Sequence, residues 1–480
     1  MNVALGRDAK LRVLVAIANH GTKNRHFLDR LLAEYRAIGK YALDIVVHSN
    51  VPKDLGPDIE VRVGLPSADP WSLPFAHKQL FAERSERYDL FIYTEDDTLL
   101  TERNIDAFLE ETRVLPGDCI AGFMRYEVDP EGRKYYSSMH SHYHWDMRSV
   151  VRHGNSLFAY HTNEHAACFI LTRNQLKNAI ASGGFLLPPE KRRYGMPETA
   201  ATDPYTQCGM RKLVCISRFD DFCLPHLPNI YCGKLGLDAG LATLEIEKLA
   251  SFAVGGAEPP LGPLFETLPL RDGDGRNKPY YEHRRNDVLT AIPAGVRRVL
   301  SVGCGCGTTE AELAKRGIEM TAIPMDPVIG TSGEAKGLEM LPSDFHLAAE
   351  KLQGRRFDCI LMLDILQQLP DPVAIVSRYR EFLRDDGVLL VSVPNWNYHG
   401  TLRQRLTTKG NKIPACRVEG EKEGLHKTNG SRVARWLRRC GFRRISHCGS
   451  PGERLEKVSK WTFGLVDGLL CRKLLLLARR

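Results

Sequence analysis

The first clear signal along the chain is the apolar run LRVLVAIANH, residues 11–20, with charge on its N-terminal side. A run this uniform predicts a strand buried on both faces. RHFLDRLLAEYRAIG follows with apolar residues at helical spacing, then the strand-like ALDIVVHSN and IEVRVGL, the helix-like FAHKQLFAERSERY, and the apolar LFIYT. Alternating strand and helix signals predict an α/β domain with a mostly parallel sheet. CIAGFMRYEV and HAACFILTRNQLKNAIASG continue it, and the stretch around Pro188, Pro189 and Pro197 reads as loop. A second βα series opens at RRVLSVGCGCGTTEAELAKRG. Between the two, GGAEPPLGP and RDGDGRNKP are dense in Gly, Pro and charge. The pattern predicts two α/β domains, 1–238 and 276–480, joined by an irregular linker over 239–275.

The strand LFIYT ends on Glu95, Asp96 and Asp97. Capping the next helix is the simplest use of such residues. Thr101 is better placed for that, directly before ERNIDAFLEETRVL, with Glu102 in its first turn. The trio is thereby left free at the C-terminal end of a strand, the edge where open α/β sheets bind ligands. Adjacent carboxylates repel unless a cation or a hydrogen-bond donor compensates, and Mg²⁺ or Mn²⁺ takes one or two carboxylates together with substrate phosphates; a solvated turn is the alternative.

Composition narrows the class. Of 480 residues, 43% are hydrophobic and 26% charged, which suits a folded two-domain protein and excludes a disordered chain. No apolar run reaches the roughly 18 residues a membrane span needs. The N-terminus reads as a first strand with no secretory leader, and 13 scattered cysteines without a CxxC pairing fit reduced thiols in a cytoplasmic protein. The net charge of +8 is concentrated at the end: residues 401–480 hold 20 Lys and Arg against 6 Asp and Glu. Such a tail is either a solvated basic face or a surface for phosphates, an anionic glycan or peripheral membrane contact.

With its βαβ start and a strand ending in an acidic cluster, the region 1–238 resembles a GT-A glycosyltransferase. The resemblance implies that Glu95-x-Asp97 holds a divalent metal, Mn²⁺ or Mg²⁺, on the diphosphate of a nucleotide-sugar donor. It implies a carboxylate to deprotonate the acceptor hydroxyl, for which MPETAATDPYTQCG offers Glu198 and Asp203, the latter also readable as a helix cap. His226 in DDFCLPHLPN is the expected late histidine ligand. The alternating His140, His142 and His144 read as an exposed polar face, and His165 as a residue near the acceptor.

VLSVGCGCGTTEAELAKRG is a strand, a glycine turn and a helix in sequence, and it resembles motif I of the class I S-adenosylmethionine-dependent methyltransferases. Gly303, Gly305 and Gly307 are expected to let the backbone approach the cofactor. The likeness continues through a lead-in YYEHRRNDVLTAIP, a fourth strand FDCILMLD, a fifth strand GVLLVSVP, a late helix GSRVARWLRRCGF and a final strand KLLLLA. It implies a Rossmann-like domain that binds S-adenosyl-L-methionine, with Asp326, Asp344 and Asp364 as candidate contacts, Asp344 and Asp364 equally readable as ordinary turn or cap residues. The sequence departs from the family in three places. Ser301 stands for the usual acid of motif I, Pro324 for the acid that ends strand two, and Gln367 and Gln368 for a frequent Glu-His pair.

Together these features predict a bifunctional transferase, taking a sugar from a nucleotide sugar and a methyl group from S-adenosylmethionine to a glycan or related acceptor. Two alternatives stay open: a glycosyltransferase with a non-catalytic docking domain, and a nucleic-acid-modifying methyltransferase. Against the latter, the chain shows no interleaving of aromatic and basic residues, so no nucleic-acid partner is expected.

Overall fold

The computed structural model describes residues 10–139, 142–233, 236–253, 261–267, 278–399, 426–448 and 467–480. Two compact units divide the chain: Met1–His140, His144–Ala242 and Leu249–Val254 form the first, and Ser141–Tyr143, Thr243–Lys248 and Gly255–Arg480 the second.

In the first unit, β1 (Arg12–Asn19), β2 (Ala42–Ser49), β3 (Ile59–Val63) and β4 (Leu90–Glu95) are parallel, and Cys168–Thr172 adds an antiparallel edge. Their spatial order is Cys168–Thr172, β4, β1, β2, β3. From Val13 to Ile17 no side chain of β1 is exposed, as its unbroken apolar run requires. The helix Arg25–Ala37 buries Leu28, Leu31, Leu32 and Tyr35, one stripe at i, i+3, i+4 and i+7. Register pairs Ala18 with Glu95, so β1 and β4 end side by side and deliver Asn19 and the acidic trio to one sheet edge.

The second unit is built on seven strands in the order Glu339–Met340, Glu319–Pro324, Arg298–Cys304, Phe357–Leu363, Leu383–Pro394, Lys473–Arg479, Arg444–His447. The first five are parallel, and Lys473–Arg479 runs antiparallel to both its neighbours. Val299, Leu361, Leu363, Leu390 and Leu475 pack at the centre of its core. The apolar C-terminus is therefore a sheet strand. Four of the 20 basic residues of 401–480 lie on the helix Gly430–Arg439, which buries Val433, Trp436 and Leu437 and exposes Arg435, Arg438 and Arg439. Among the described residues no helix is long and apolar enough to cross a membrane. The twelve described cysteines are free thiols.

One expectation fails in the predicted linker. Ala239–Ser251 is a helix, capped by Asp238, whose side chain accepts from the Leu241 N–H at 3.1 Å. Its Ala and Leu content favours the helix despite the Gly at its start.

Candidate functional site

The acidic edge of the first unit is assembled by a short backbone pairing. Thr98 bridges to His226, Leu227 N–H donates to Asp97 O at 2.9 Å, and Leu99 N–H donates to Pro225 O at 3.1 Å. This pairing sets His226 against Asp97, with Nε2 and Oδ2 3.5 Å apart. On the other side of the ring, Nδ1 lies 2.5 Å from Glu127 Oε1. Burial pushes the Glu127 carboxyl up, but His226 and the Tyr231 N–H at 2.7 Å outweigh it and leave the pKa lowered. An ionised carboxylate only accepts, so Glu127 favours a proton on Nδ1, and Nε2 faces Asp97. A carboxylate that orients a histidine so that its other nitrogen is presented is the arrangement found behind metal ligands. Burial disfavours charge on His226, yet Asp97 and Glu127 reverse this and raise its pKa.

Glu95 and Asp96 complete the edge. Burial, then the neighbouring Asp97, pushes Glu95 up to about 8, and its Oε1 is sealed with no hydrogen-bond partner among the described residues. Asp96 is pushed up to about 6 by burial, against the amides of Asn24, at 2.9 Å, and Asn19. A cavity of about 370 Å³ opens here, lined by His20, Asn24, Trp71 and the acidic trio among others. Thr101 does cap the following helix, its N–H bonded to Asn104 Oδ1 at 2.8 Å, so the trio is not spent on capping. Asp97 and His226 fit a divalent ion, because two ligands each about 2.1 Å from one ion lie roughly 3 Å apart. Among the described residues Glu95 does not converge with Asp97 and His226 as a three-ligand group, so of the expected trio only Asp97 and His226 face one another.

The two carboxylates expected to supply the base differ in environment. Asp203 is fully buried between Lys78 and Arg192, the latter at 3.1 Å, and has no opening to an acceptor. This corrects the reading of Asp203 as a base: its charge neutralises two cations inside the fold. Glu198 is partly exposed, acts electrostatically on Glu95, and has an Oε2 without a partner among the described residues. His165 is buried beside Tyr194, with ring centroids 6.4 Å apart. His144 N–H donates to Thr162 Oγ1 at 2.9 Å, and His140 lies outside the described residues.

In the second unit the glycine turn closes Arg298–Cys304, and Gly307 caps the helix Thr308–Lys315 at φ 73°. The glycines make room for the protein itself. A Cβ on Gly305 would lie 2.5 Å from Tyr280 O, on Gly303 2.6 Å from Ile365, and on Gly307 2.8 Å from Leu338. The lead-in segment is docked there, with Cys306 N–H donating to Tyr280 O at 2.8 Å. It brings Lys278 and Glu282, paired at 2.7 Å, to the turn. Glu310 lies opposite and accepts from Ser301 Oγ at 2.7 Å. Both acids are buried, and Glu282 Oε1 and Glu310 Oε2 have no hydrogen-bond partner among the described residues. These are the features of the site that sequence reasoning missed. The i,i+4 Lys-Glu pair and the acid in the first turn after the glycines were legible only as helix-type charge patterning.

The expected cofactor contacts are otherwise engaged. Asp326 Oδ1 caps the helix Pro327–Glu334 with two N–H bonds of 2.8 Å, and Asp344 caps Phe345–Lys351. Asp364, at φ 57°, holds Arg285 at 3.1 Å, Ser392 at 2.5 Å and Lys473 at 2.5 Å. Burial pushes its carboxyl up, but Lys473, Arg285 and Lys278 hold it well below the usual range. The Gln367 and Gln368 amides donate to Asp364 O at 2.7 and 3.3 Å. Pro324 ends its strand and contributes no oxygen from its side chain. In charge alone, the carboxylates of Glu282 and Glu310 and the ammonium of Lys278 beside the glycine turn are compatible with the amino-acid end of S-adenosylmethionine.

Residues 274–447 match the family Methyltransf_23, a methyltransferase domain. The ubiquinone biosynthesis O-methyltransferase of Xylella fastidiosa (strain 9a5c) is 34% identical over 158 residues, 32% of this chain and 59% of that protein. Its counterpart from Xanthomonas oryzae pv. oryzae (strain PXO99A) is 33% identical over 134 residues, 26% of this chain and 55% of that protein. The chain thus spans little more than half the length of these curated relatives. A solved S-adenosylmethionine-dependent methyltransferase from Archaeoglobus fulgidus is 17% identical, covering 39% of this chain and 87% of that one at a TM-score of 0.28, a level that carries no argument. The second unit thus carries a match to a methyltransferase domain over residues 274–447.

Proposed function

We propose that the chain is a bifunctional transferase. Its first unit transfers a sugar from a nucleotide-sugar donor with a divalent metal, and its second transfers methyl from S-adenosylmethionine to a hydroxyl of a glycan or related acceptor. The observation that carries the first half is the chain Glu127–His226–Asp97 at the end of β4, which presents Nε2 and a carboxylate 3.5 Å apart beside an open cavity. A cation held there supplies Lewis-acid neutralisation of the charge that develops on the leaving diphosphate. Asp97 and His226 would hold it, and Asn19 and Asn24 orient Asp96 at the neighbouring strand end. Glu198 is the carboxylate left to take the acceptor proton, since Asp203 is closed off.

For the second half, the names of the relatives favour oxygen as the methylated atom. A bound S-adenosylmethionine supplies an electrophilic methyl group, and orientation of the hydroxyl can provide much of the acceleration without a dedicated base. The Gln pair in place of Glu-His is compatible with that chemistry. Placing both activities on one chain would keep a shared acceptor at high effective concentration. A second reading, favoured by the engagement of Asp326, Asp344 and Asp364 in caps and ion pairs, is a glycosyltransferase with a docking domain of methyltransferase fold. Incubating the full chain with Mn²⁺ and a panel of nucleotide sugars, and separately with methyl-labelled S-adenosylmethionine and hydroxylated glycans, tests both. Labelled product only in the first assay selects the docking reading, and no sugar release from any donor refutes the glycosyltransferase half.

A further inference from the structure

The second unit holds a groove on the far side of its sheet from the glycine turn, at the strands Lys473–Arg479 and Arg444–His447. Side chains alternate along Lys473–Arg479: Leu475 and Leu477 pack with the core, and Leu474 and Leu476 face the other way. Those two leucines and Ile445 of the edge strand form an apolar floor. The helix Gly430–Arg439 supplies the wall through Ser431, Ala434 and Arg438, which share one face at i, i+3 and i+7. Ser431 and Ala434 are too short to close the wedge between helix and sheet, and a cavity of about 620 Å³ is left. Its size and its apolar floor are those of a small-molecule site.

The charge on its lining has one sign. Among the described residues no carboxylate lines the groove, and the Arg438 guanidinium has no hydrogen-bond or ion-pair partner. Arg435 and Arg444, both exposed, add to the positive field around it. The stretches that adjoin these elements in sequence bring no counter-charge: 400–425 holds six Lys and Arg against three Asp and Glu, and 449–466 three against two. From Ser431 to Arg438 the helix rises roughly 10 Å, so the free cation stands at one end of an elongated apolar trough. We propose that this groove is a ligand site for an amphiphilic organic anion, a single molecule whose oxyanion pairs with Arg438 and whose apolar body lies on Ile445, Leu474 and Leu476. A planar guanidinium can meet a carboxylate or phosphate with two parallel N–H bonds, and the apolar body removes the floor from water. The site needs neither the acidic edge of the first unit nor a methyl donor.

Calorimetry on the full chain tests this with three probes below micelle-forming concentration: octyl phosphate, 1-octanol and inorganic phosphate. Octyl phosphate should bind wild type at least about 10-fold more tightly than either of the others. Arg438→Gln should weaken octyl phosphate by about 10–100-fold, towards the level of 1-octanol. Ala434→Leu fills the wedge with a good helix former and should remove binding of both alkyl probes. Arg435→Gln, on the same helix but outside the groove lining, should leave all three affinities as in wild type. No binding of octyl phosphate by wild type at millimolar concentration overturns the inference, as does inorganic phosphate binding equally well. Equal losses in Arg435→Gln and Arg438→Gln would mean diffuse surface charge, and wild-type affinity in a folded Ala434→Leu would put the ligand elsewhere; either result also overturns it.

Discussion

Gly305→Ala tests how the glycine turn is used. The new methyl group would lie 2.5 Å from Tyr280 O and 2.9 Å from Pro279 O, both backbone atoms that cannot rotate away. The lead-in segment must either peel off or shift. Peeling would expose Tyr280 and Tyr281, now 1% and 7% accessible, at about 1.5–3 kcal/mol each. Shifting costs about 1–3 kcal/mol of overpacking, with about 1 kcal/mol more for weakening the 2.8 Å bond from Cys306 N–H to Tyr280 O. Shifting is the cheaper response, so the variant should keep its fold and lose about 2–4 kcal/mol. Hydrogen exchange at the Cys306 amide reads this directly, as a fall in protection of roughly 30–1000-fold, with a lower denaturant midpoint for the second unit. Wild-type protection and an unchanged midpoint would refute the close approach and return Gly305 to the role of a ligand-facing glycine.

Three further outcomes are expected. Glu127→Gln should weaken Mn²⁺ binding by about 10–100-fold in a calorimetric titration, since it removes the carboxylate that orients His226; an unchanged constant would make Glu127 a packing residue. Asp203→Asn leaves Lys78 and Arg192 buried without their counter-charge and should cost about 3–5 kcal/mol in urea unfolding, whereas a stable but inactive variant would restore Asp203 as the base. His48 is held down to about 4, by burial and then by Arg62. Between that value and about 6.5 the unfolded chain binds more protons, so stability rises with pH through this window and is lost as pH falls. His48→Gln should remove up to about 3 kcal/mol of that dependence, and an unaltered acid limb would locate the titration elsewhere.

The features legible in the sequence were those encoded by near neighbours. The apolar run of β1, the acidic end of β4, the Thr101 cap and the glycine turn each sit within a few residues of their own signal. His226 was identifiable only through resemblance. Its partner Glu127 was invisible, because 99 residues separate them and the parallel pairing of Cys223–Pro225 with Met124–Val128 is what brings them together. Asp203 misled for a related reason: a carboxylate within a helix looks available until Lys78, 125 residues away, is seen to neutralise it. The helix Ala239–Ser251 was hidden by the glycine and proline content of the adjoining segment GGAEPPLGP. Lys278, Glu282 and Glu310 needed the folded turn to show that their charges converge.

The central claim is that the edge built from β1 and β4 binds a metal and a diphosphate, and Asp97 is its most exposed commitment. Calorimetric titration of UDP, GDP, ADP and CDP into the full chain, with Mn²⁺ and with chelator, for wild type and Asp97→Asn, tests it most directly. At least one nucleoside diphosphate is expected to bind wild type only with Mn²⁺, and Asp97→Asn should abolish this binding while unfolding at the wild-type temperature. Binding of equal strength in chelator, or in Asp97→Asn with Mn²⁺, would contradict it.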